Sequence, residues 1–183
     1  MIRKLCLTLL TILAFSWVQA KDLTMEQDFR VTLLRAAPGN LSDLLDQTKG
    51  YRSQQNENVI IMRHDQGDHW DLLLLEPAGT TPNRMADFSQ LADFQHSFLA
   101  SSTTRWATLG KLDKDSGYYH IEMFHATADK SQALLDQRQM ENEYLTSTQR
   151  SANIIFKTTF GSDVDSFTIG FHKSIVSFAT MPD

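Results

Sequence analysis

The stretch Phe29-Arg-Val-Thr-Leu-Leu-Arg-Ala36 can be laid over Tyr119-His-Ile-Glu-Met-Phe-His-Ala126, 90 residues downstream. The match continues without a gap through Asn40-Leu-Ser-Asp-Leu-Leu-Asp-Gln47 and Lys130-Ser-Gln-Ala-Leu-Leu-Asp-Gln137. Leu44-Leu45-Asp46-Gln47 thus recurs as Leu134-Leu135-Asp136-Gln137. Further on, Asn58-Val-Ile-Ile61 matches Asn153-Ile-Ile-Phe156, and Asp71-Leu-Leu-Leu-Leu75 falls on Asp165-Ser-Phe-Thr-Ile169. Chance supplies short identities but rarely keeps them in one order over such a length. The chain reads as an internal duplication, and each copy as one structural unit.

Each copy predicts strand, helix, strand, strand, helix. Residues 29–36 and 118–126 alternate and carry β-branched or aromatic side chains, as strands do. Residues 41–54 and 131–149 have helical spacing; the second carries the stripe Ala133, Leu134, Gln137, Met140, Tyr144 and Leu145. Second strands are expected at 58–64 and 153–160. The turn clusters Gln66-Gly67-Asp68 and Gly161-Ser162-Asp163 lead into third strands at 70–76 and 166–172. Met85, Phe88, Leu91, Ala92 and Phe98 suggest a helix over 83–100, opened by Pro82 and Asn83. Residues 173–179 are expected to form a reduced closing helix. The domain reading is 1–20 signal peptide, 21–100 first repeat, 101–117 linker and 118–183 second repeat.

A βαββα unit is close to a ferredoxin-like half, an α+β arrangement with an antiparallel sheet and helices on one face. Two such sheets face to face cover each other and close into a barrel. In this the chain resembles the dimeric α+β barrel superfamily, with both halves fused. The stretches Gln137-Arg-Gln-Met-Glu-Asn-Glu-Tyr144 and Asp165-Ser-Phe-Thr-Ile-Gly-Phe171 look like an uncharacterised bacterial exported family of that superfamily, distantly NIPSNAP-like. The wider superfamily includes cofactor-free monooxygenases, haem-degrading enzymes and chlorite dismutase-like haem proteins. Its members share a cavity between sheet and helices, or between the sheets, but not a chemistry, so the resemblance implies a fold and no single activity.

The first residues read as an address. Arg3 and Lys4 precede an apolar run from Leu5 to Val18, and Val18-Gln19-Ala20 places small residues around a cut after Ala20. That is the layout of a secretory signal peptide, too short to favour a membrane span. The expectation is a periplasmic or secreted protein with no membrane association after cleavage, and an uncleaved N-terminal anchor is the alternative. The only cysteine, Cys6, lies in this segment, so the mature chain has no disulfide, thiolate ligand or cysteine nucleophile. Seventeen Lys and Arg against 22 Asp and Glu give a net charge of −5, which argues against broad nucleic-acid binding. A monomer and a homodimer are both compatible with fused halves.

Side chains alternate faces along a strand. His120, Glu122 and Phe124 oppose Tyr119, Ile121 and Met123; Lys157 and Thr159 oppose Phe156 and Thr158; Thr168, Gly170 and His172 oppose Phe167, Ile169 and Phe171. If the apolar sets pack under the helices, the mixed sets face the barrel interior, with Arg30, Thr32 and Leu34 their counterparts in the first copy. His120 is then the candidate base, Glu122 its orienting partner and Lys157 an anion stabiliser. His172, Arg30, Phe124 and Trp70 are the candidate ligand contacts. Three readings stay open: a salt-bridged polar cluster facing water, an acid/base or ligand pocket, and a haem or divalent-metal site using His120, Glu122 and His172. Neither a cofactor nor a metal is specified, since His-x-Glu lacks HExxH spacing. Arg63-His64-Asp65-Gln66-Gly67-Asp68-His69-Trp70-Asp71 reads as a polar hairpin tip, the alternative being a tip at the cavity mouth with His64 or His69 binding metal or substrate. No nucleophile elbow, phosphate-cradling glycine loop or dinucleotide fingerprint occurs. The functional expectation is an exported small-ligand-binding barrel protein, with cofactor-free acid/base or oxygenase-like chemistry if it is an enzyme. A haem or metal protein and a non-catalytic interaction protein are the alternatives.

Overall fold

The computed structural model describes residues 25–65, 69–79 and 86–180. The expected signal peptide, the turn at 66–68 and the start of the expected 83–100 helix lie outside them. Among the described residues no helix is long and apolar enough to cross a membrane.

Eleven elements follow one another: β1 (Gln27–Ala36), α1 (Leu41–Gln54), β2 (Ile60–Arg63), β3 (Leu72–Pro77), β4 (Ala92–Ser102), α2 (Trp106–Asp115), β5 (Tyr118–Phe124), α3 (Ser131–Ser147), β6 (Ile154–Phe160), β7 (Ser166–His172) and α4 (Ile175–Ala179). The seven strands form one antiparallel sheet in the order β2-β3-β1-β4-β6-β7-β5, curled into a nearly closed barrel.

The expected helix over 83–100 is corrected. Residues 92–102 form β4, the longest strand, which pairs with β1 along its length and joins the two halves through β6. Asp93, Gln95, Ser97 and Leu99 alternate with Phe94, His96, Phe98 and Ala100, a two-residue period hidden by the chance helical spacing of Phe88, Leu91 and Phe98. Ten cross-strand partners with β1 outweigh the modest helical preference of Ala, Gln and Leu. The fifth element of the first half is therefore a strand, whereas that of the second half is the short helix α4, as expected. Within the segment read as a linker, residues 106–115 form α2.

The two β–α–β–β segments share strand order and register. Leu34 lies opposite Leu72 and Phe124 opposite Ser166; Ile60 lies opposite Leu75 and Ile154 opposite Ile169. The Ala36 N–H donates to Asp71 Oδ2 and the Ala126 N–H to Asp165 Oδ2, both at 2.8 Å. This register pairs Ile60 with Ile154, one residue away from the match of Asn58 with Asn153 drawn from the sequence.

The barrel interior is apolar and filled from both halves. Phe29, Val31, Leu33, Ile60, Met62, Leu73, Leu75, Phe98, Phe156, Phe167 and Ile169 are buried in one cluster. Phe156 stacks on Phe167 with ring centres 4.6 Å apart; Phe29 meets Phe156 edge-on at 5.5 Å and Phe98 meets Phe167 edge-on at 6.0 Å. Helix α2 adds Leu109 to this cluster. It is tied to strand starts on both sides: the Trp106 N–H donates to Gln27 Oε1, its indole N–H to Asn58 Oδ1, and the Tyr119 hydroxyl to Asp113. Burial, reinforced by that bond to Asp113, pushes the Tyr119 hydroxyl well above the usual phenol range. A second cluster, centred on Leu34, Leu44, Val59, Leu72 and Leu74, fills the space between the outer face of the first half and α1.

Candidate functional site

The face assignment drawn from the sequence is reversed. Tyr119, Ile121, Met123, Phe156, Phe167, Ile169 and Phe171 pack in or against the interior cluster. His120, Glu122, Phe124, Thr168, Gly170 and His172 point outward, beneath α3 and α4. The Arg138 guanidinium of α3 sits 4.3 Å from the Phe124 ring centre, and Phe178 of α4 packs against His120 at 4.7 Å and His172 at 5.0 Å. The energetics explain the choice. Each large apolar side chain buried in the shared interior contributes about 1.5–3 kcal/mol. Sealing His120, Glu122 and Lys157 there would instead strip their hydration without partners to replace it. No α3 side chain is fully buried, so the layer beneath it tolerates polar groups.

The candidate catalytic trio does not converge. His120 and Glu122 lie on the edge strand β5, where Glu122 receives a long 3.4 Å contact from the Thr168 hydroxyl. Lys157 is on β6, with β7 between, and lines a groove that neither His120 nor Glu122 lines. His120 and His172 do come together around Phe178, with Tyr118 against the same ring at 5.3 Å. Desolvation, then the nearby His120, holds His172 below the usual imidazole range, and its buried Nε2 has no hydrogen-bond partner among the described residues. Gly170 fits between these strands because a Cβ there would meet Asn153 Oδ1 and His172 Nε2 at 2.7 Å. Among the described residues no group of three or more His, Cys, Asp or Glu side chains could hold a metal ion.

In the first half Arg30 is also on the outer face. It donates to Glu76 Oε1 at 3.2 Å, and the Tyr51 hydroxyl of α1 donates to Glu76 Oε2 at 2.8 Å. Burial and then the Glu76 hydrogen bond push the Tyr51 hydroxyl far above its usual range. Thr32 and Ser97 hydroxyls bond each other at 2.9 Å. The adjoining cavity of 10 Å³ has room for about one water molecule, so this cluster is a satisfied polar joint between sheet and helix. Trp70 is buried in the interior cluster and covered by His64, which stacks on it at 4.3 Å and places Nδ1 3.1 Å from the Trp70 carbonyl oxygen. The His69 ring meets Phe94 edge-on at 5.4 Å.

A larger concavity is one the sequence did not suggest: a 340 Å³ open groove between α3 and the β4–β6 junction. Ser101, Ser102, Ile155 and Lys157 come from the strands, Glu26 precedes β1, and Gln132, Leu135, Asp136, Gln139 and Asn142 come from α3. Lys157 is opposite Ser101 in the β4–β6 pairing. The Ser101 hydroxyl donates to Glu26 Oε2 at 2.7 Å, and the Ser102 hydroxyl to the Ile155 carbonyl at 2.8 Å. Asn142 holds the helix on the far side, donating to the Asn153 carbonyl at 2.7 Å and accepting the Asn153 N–H at 2.8 Å. Two signals in the sequence point here. Gln132, Asp136 and Gln139 form a polar stripe on α3, next to the apolar one, and Ser101–Thr104 is a hydroxyl run whose first two residues end β4. No protein-family model and no curated protein sequence matches the chain.

Proposed function

We propose that this is an exported α+β barrel protein that binds a small polar ligand on the outside of the barrel, in the groove between α3 and the β4–β6 junction. The 340 Å³ groove carries the reading: it is within the range of small-ligand sites, roughly 300–1,000 Å³, and its walls hold hydroxyl, amide and charged groups. The filled apolar interior moves the ligand away from where the sequence placed it. The common register of the two β–α–β–β segments supports a duplicated ferredoxin-like unit and kinship with the dimeric α+β barrel superfamily. The charged start, apolar run and small-residue cut site of residues 1–20 support export. His120, His172 and Tyr118 act in this reading as a seat for α4, and Arg30 as a strut for Glu76.

Differential scanning fluorimetry of residues 21–183 against a library of polar metabolites tests the proposal. A true ligand at 100 times its Kd adds about 2.7 kcal/mol to stability. Gln139→Trp, which fills the groove from an exposed helix position, should abolish the shift. A shift that survives Gln139→Trp, or the absence of any shift, rejects the site. A second reading, a non-catalytic interaction protein, draws on the exposed Met140 and Tyr144 of α3 and Ile175 and Val176 of α4. It predicts that charged substitutions there abolish a protein contact and leave groove binding intact.

A further inference from the structure

We infer that the groove ligand is a small zwitterion of amino-acid or dipeptide size. The inference rests on the groove reading above and deepens it. Three charged groups line the groove, and their placement is uneven. Lys157 and Glu26 flank Ser101 on the strand side: Lys157 as its cross-strand neighbour, Glu26 as the acceptor of its hydroxyl. Asp136 faces them from α3. Among the described residues the Lys157 side chain makes no hydrogen bond or ion pair, so its ammonium is available to an incoming carboxylate. One oxygen of Glu26 holds Ser101 and one oxygen of Asp136 holds the Gln132 amide, which leaves the second oxygen of each to accept from a ligand ammonium.

Other groups of the lining suit a peptide link. The Gln139 amide and the Thr103 hydroxyl make no hydrogen bond among the described residues and can meet a carbonyl or an N–H. Asn142 is committed to the Asn153 backbone at both ends of its amide and fixes the wall instead. Leu135 and Ile155 supply the apolar contact for one small side chain.

Other ligand classes fit less well. Inorganic or esterified phosphate would face two carboxylates against one lysine, with repulsion exceeding attraction. An acyl chain would find only Leu135 and Ile155 to cover it. A neutral sugar would leave Lys157 and two carboxylate oxygens without charged partners, and the groove has no aromatic ring for a sugar face.

Isothermal titration of residues 21–183 with the amino acids and alanyl dipeptides, their N-acetyl and C-amide derivatives, glucose and inorganic phosphate tests the assignment. At least one free zwitterion should bind, and acetylating its amine or amidating its carboxylate should each weaken binding about tenfold. Lys157→Gln should weaken the free zwitterion about tenfold and leave the C-amide unchanged. Asp136→Asn should reduce the penalty of N-acetylation, and Asp136→Asn with Glu26→Gln should erase it. If glucose or phosphate binds in a manner lost in Gln139→Trp while every zwitterion fails, the ligand class is wrong and the groove stands. If no probe binds and the fluorimetric library gives no shift, both readings fall.

Discussion

Phe156→Ala measures whether the barrel interior is a packed core or a ligand chamber. Phe156 is fully buried, stacked on Phe167 at 4.6 Å and edge-on to Phe29 at 5.5 Å. Truncation loses the transfer free energy of the ring and leaves a hole among Phe29, Phe167 and the strand side chains, which together cost about 3–5 kcal/mol. In a chain of 183 residues each kcal/mol is about 2–4 °C in Tm, so a loss near 4 kcal/mol is a fall of about 8–16 °C. Urea denaturation followed by tryptophan fluorescence should give a lower midpoint with an unchanged slope. Lys157→Ala on the outer face should stay within about 0.5 kcal/mol of the parent. The Phe156→Ala, Phe167→Ala pair should be non-additive, since the first truncation already removes the stacking that the second would remove. A loss below about 1.5 kcal/mol for Phe156→Ala, or a larger loss for Lys157→Ala, would refute the assignment of faces.

Three further outcomes follow from named contacts. Arg30→Ala should destabilise by about 1–3 kcal/mol, because it leaves the buried Glu76 carboxylate with only the Tyr51 hydroxyl, whereas Arg30→Ala with Glu76→Gln should recover most of that loss in a double-mutant cycle. Gly117→Ala should cost about 1–3 kcal/mol in chemical denaturation, since its Cβ would sit 2.8 Å from the Lys173 carbonyl oxygen, a backbone atom that cannot swing aside. His172 is held below its usual pKa in the folded state, so the unfolded chain binds the proton first and stability falls as pH drops below about 6.5; His172→Gln should flatten the stability–pH profile over that window, and an unchanged slope would show that His172 is not desolvated.

How much of this was legible in the chain depends on which interaction decides each element. β1, α1, α3 and the three strands of the second half follow from local periodicity, and the structure places them within a few residues of the expected bounds. β4 was hidden because Phe88, Leu91 and Phe98 mimic a helical stripe, and only long-range pairing with β1 on one side and β6 on the other decides in favour of a strand. The two faces of β5–β7 could be told apart by polarity, but not which one turns inward. That depends on the partner: the apolar set finds Phe29 and Phe98 of the other half, and the polar set finds a helix that buries nothing completely. The polar stripe of α3 and the hydroxyl run at 101–104 hinted at the groove, but their meeting was not legible, since Glu26, Ser101, Asp136 and Lys157 come from four separate segments.

The groove itself follows from a difference between the halves. The shared register sets Leu34, Leu72, Leu74 and Val59 of the first outer layer against Phe124, Ser166, Thr168 and Asn153 of the second. The first set is buried with Leu44 and clamps α1 to the sheet by apolar area. The second set offers mostly hydroxyl and amide groups, so α3 is held by directed contacts, chiefly Arg138 over Phe124 and the reciprocal Asn142–Asn153 bonds. A helix fixed at points rather than along a face leaves its flank unfilled, and that flank is the groove. Asn142→Ala removes both bonds at once, at about 1 kcal/mol each, without touching the interior. It should speed amide exchange along α3 while leaving β1–β4 unchanged, and weaken the groove ligand by raising the share of molecules in which the helix is displaced. Uniform exchange across the two halves would show that α3 is held by something other than these contacts, and the groove would then need a different structural cause.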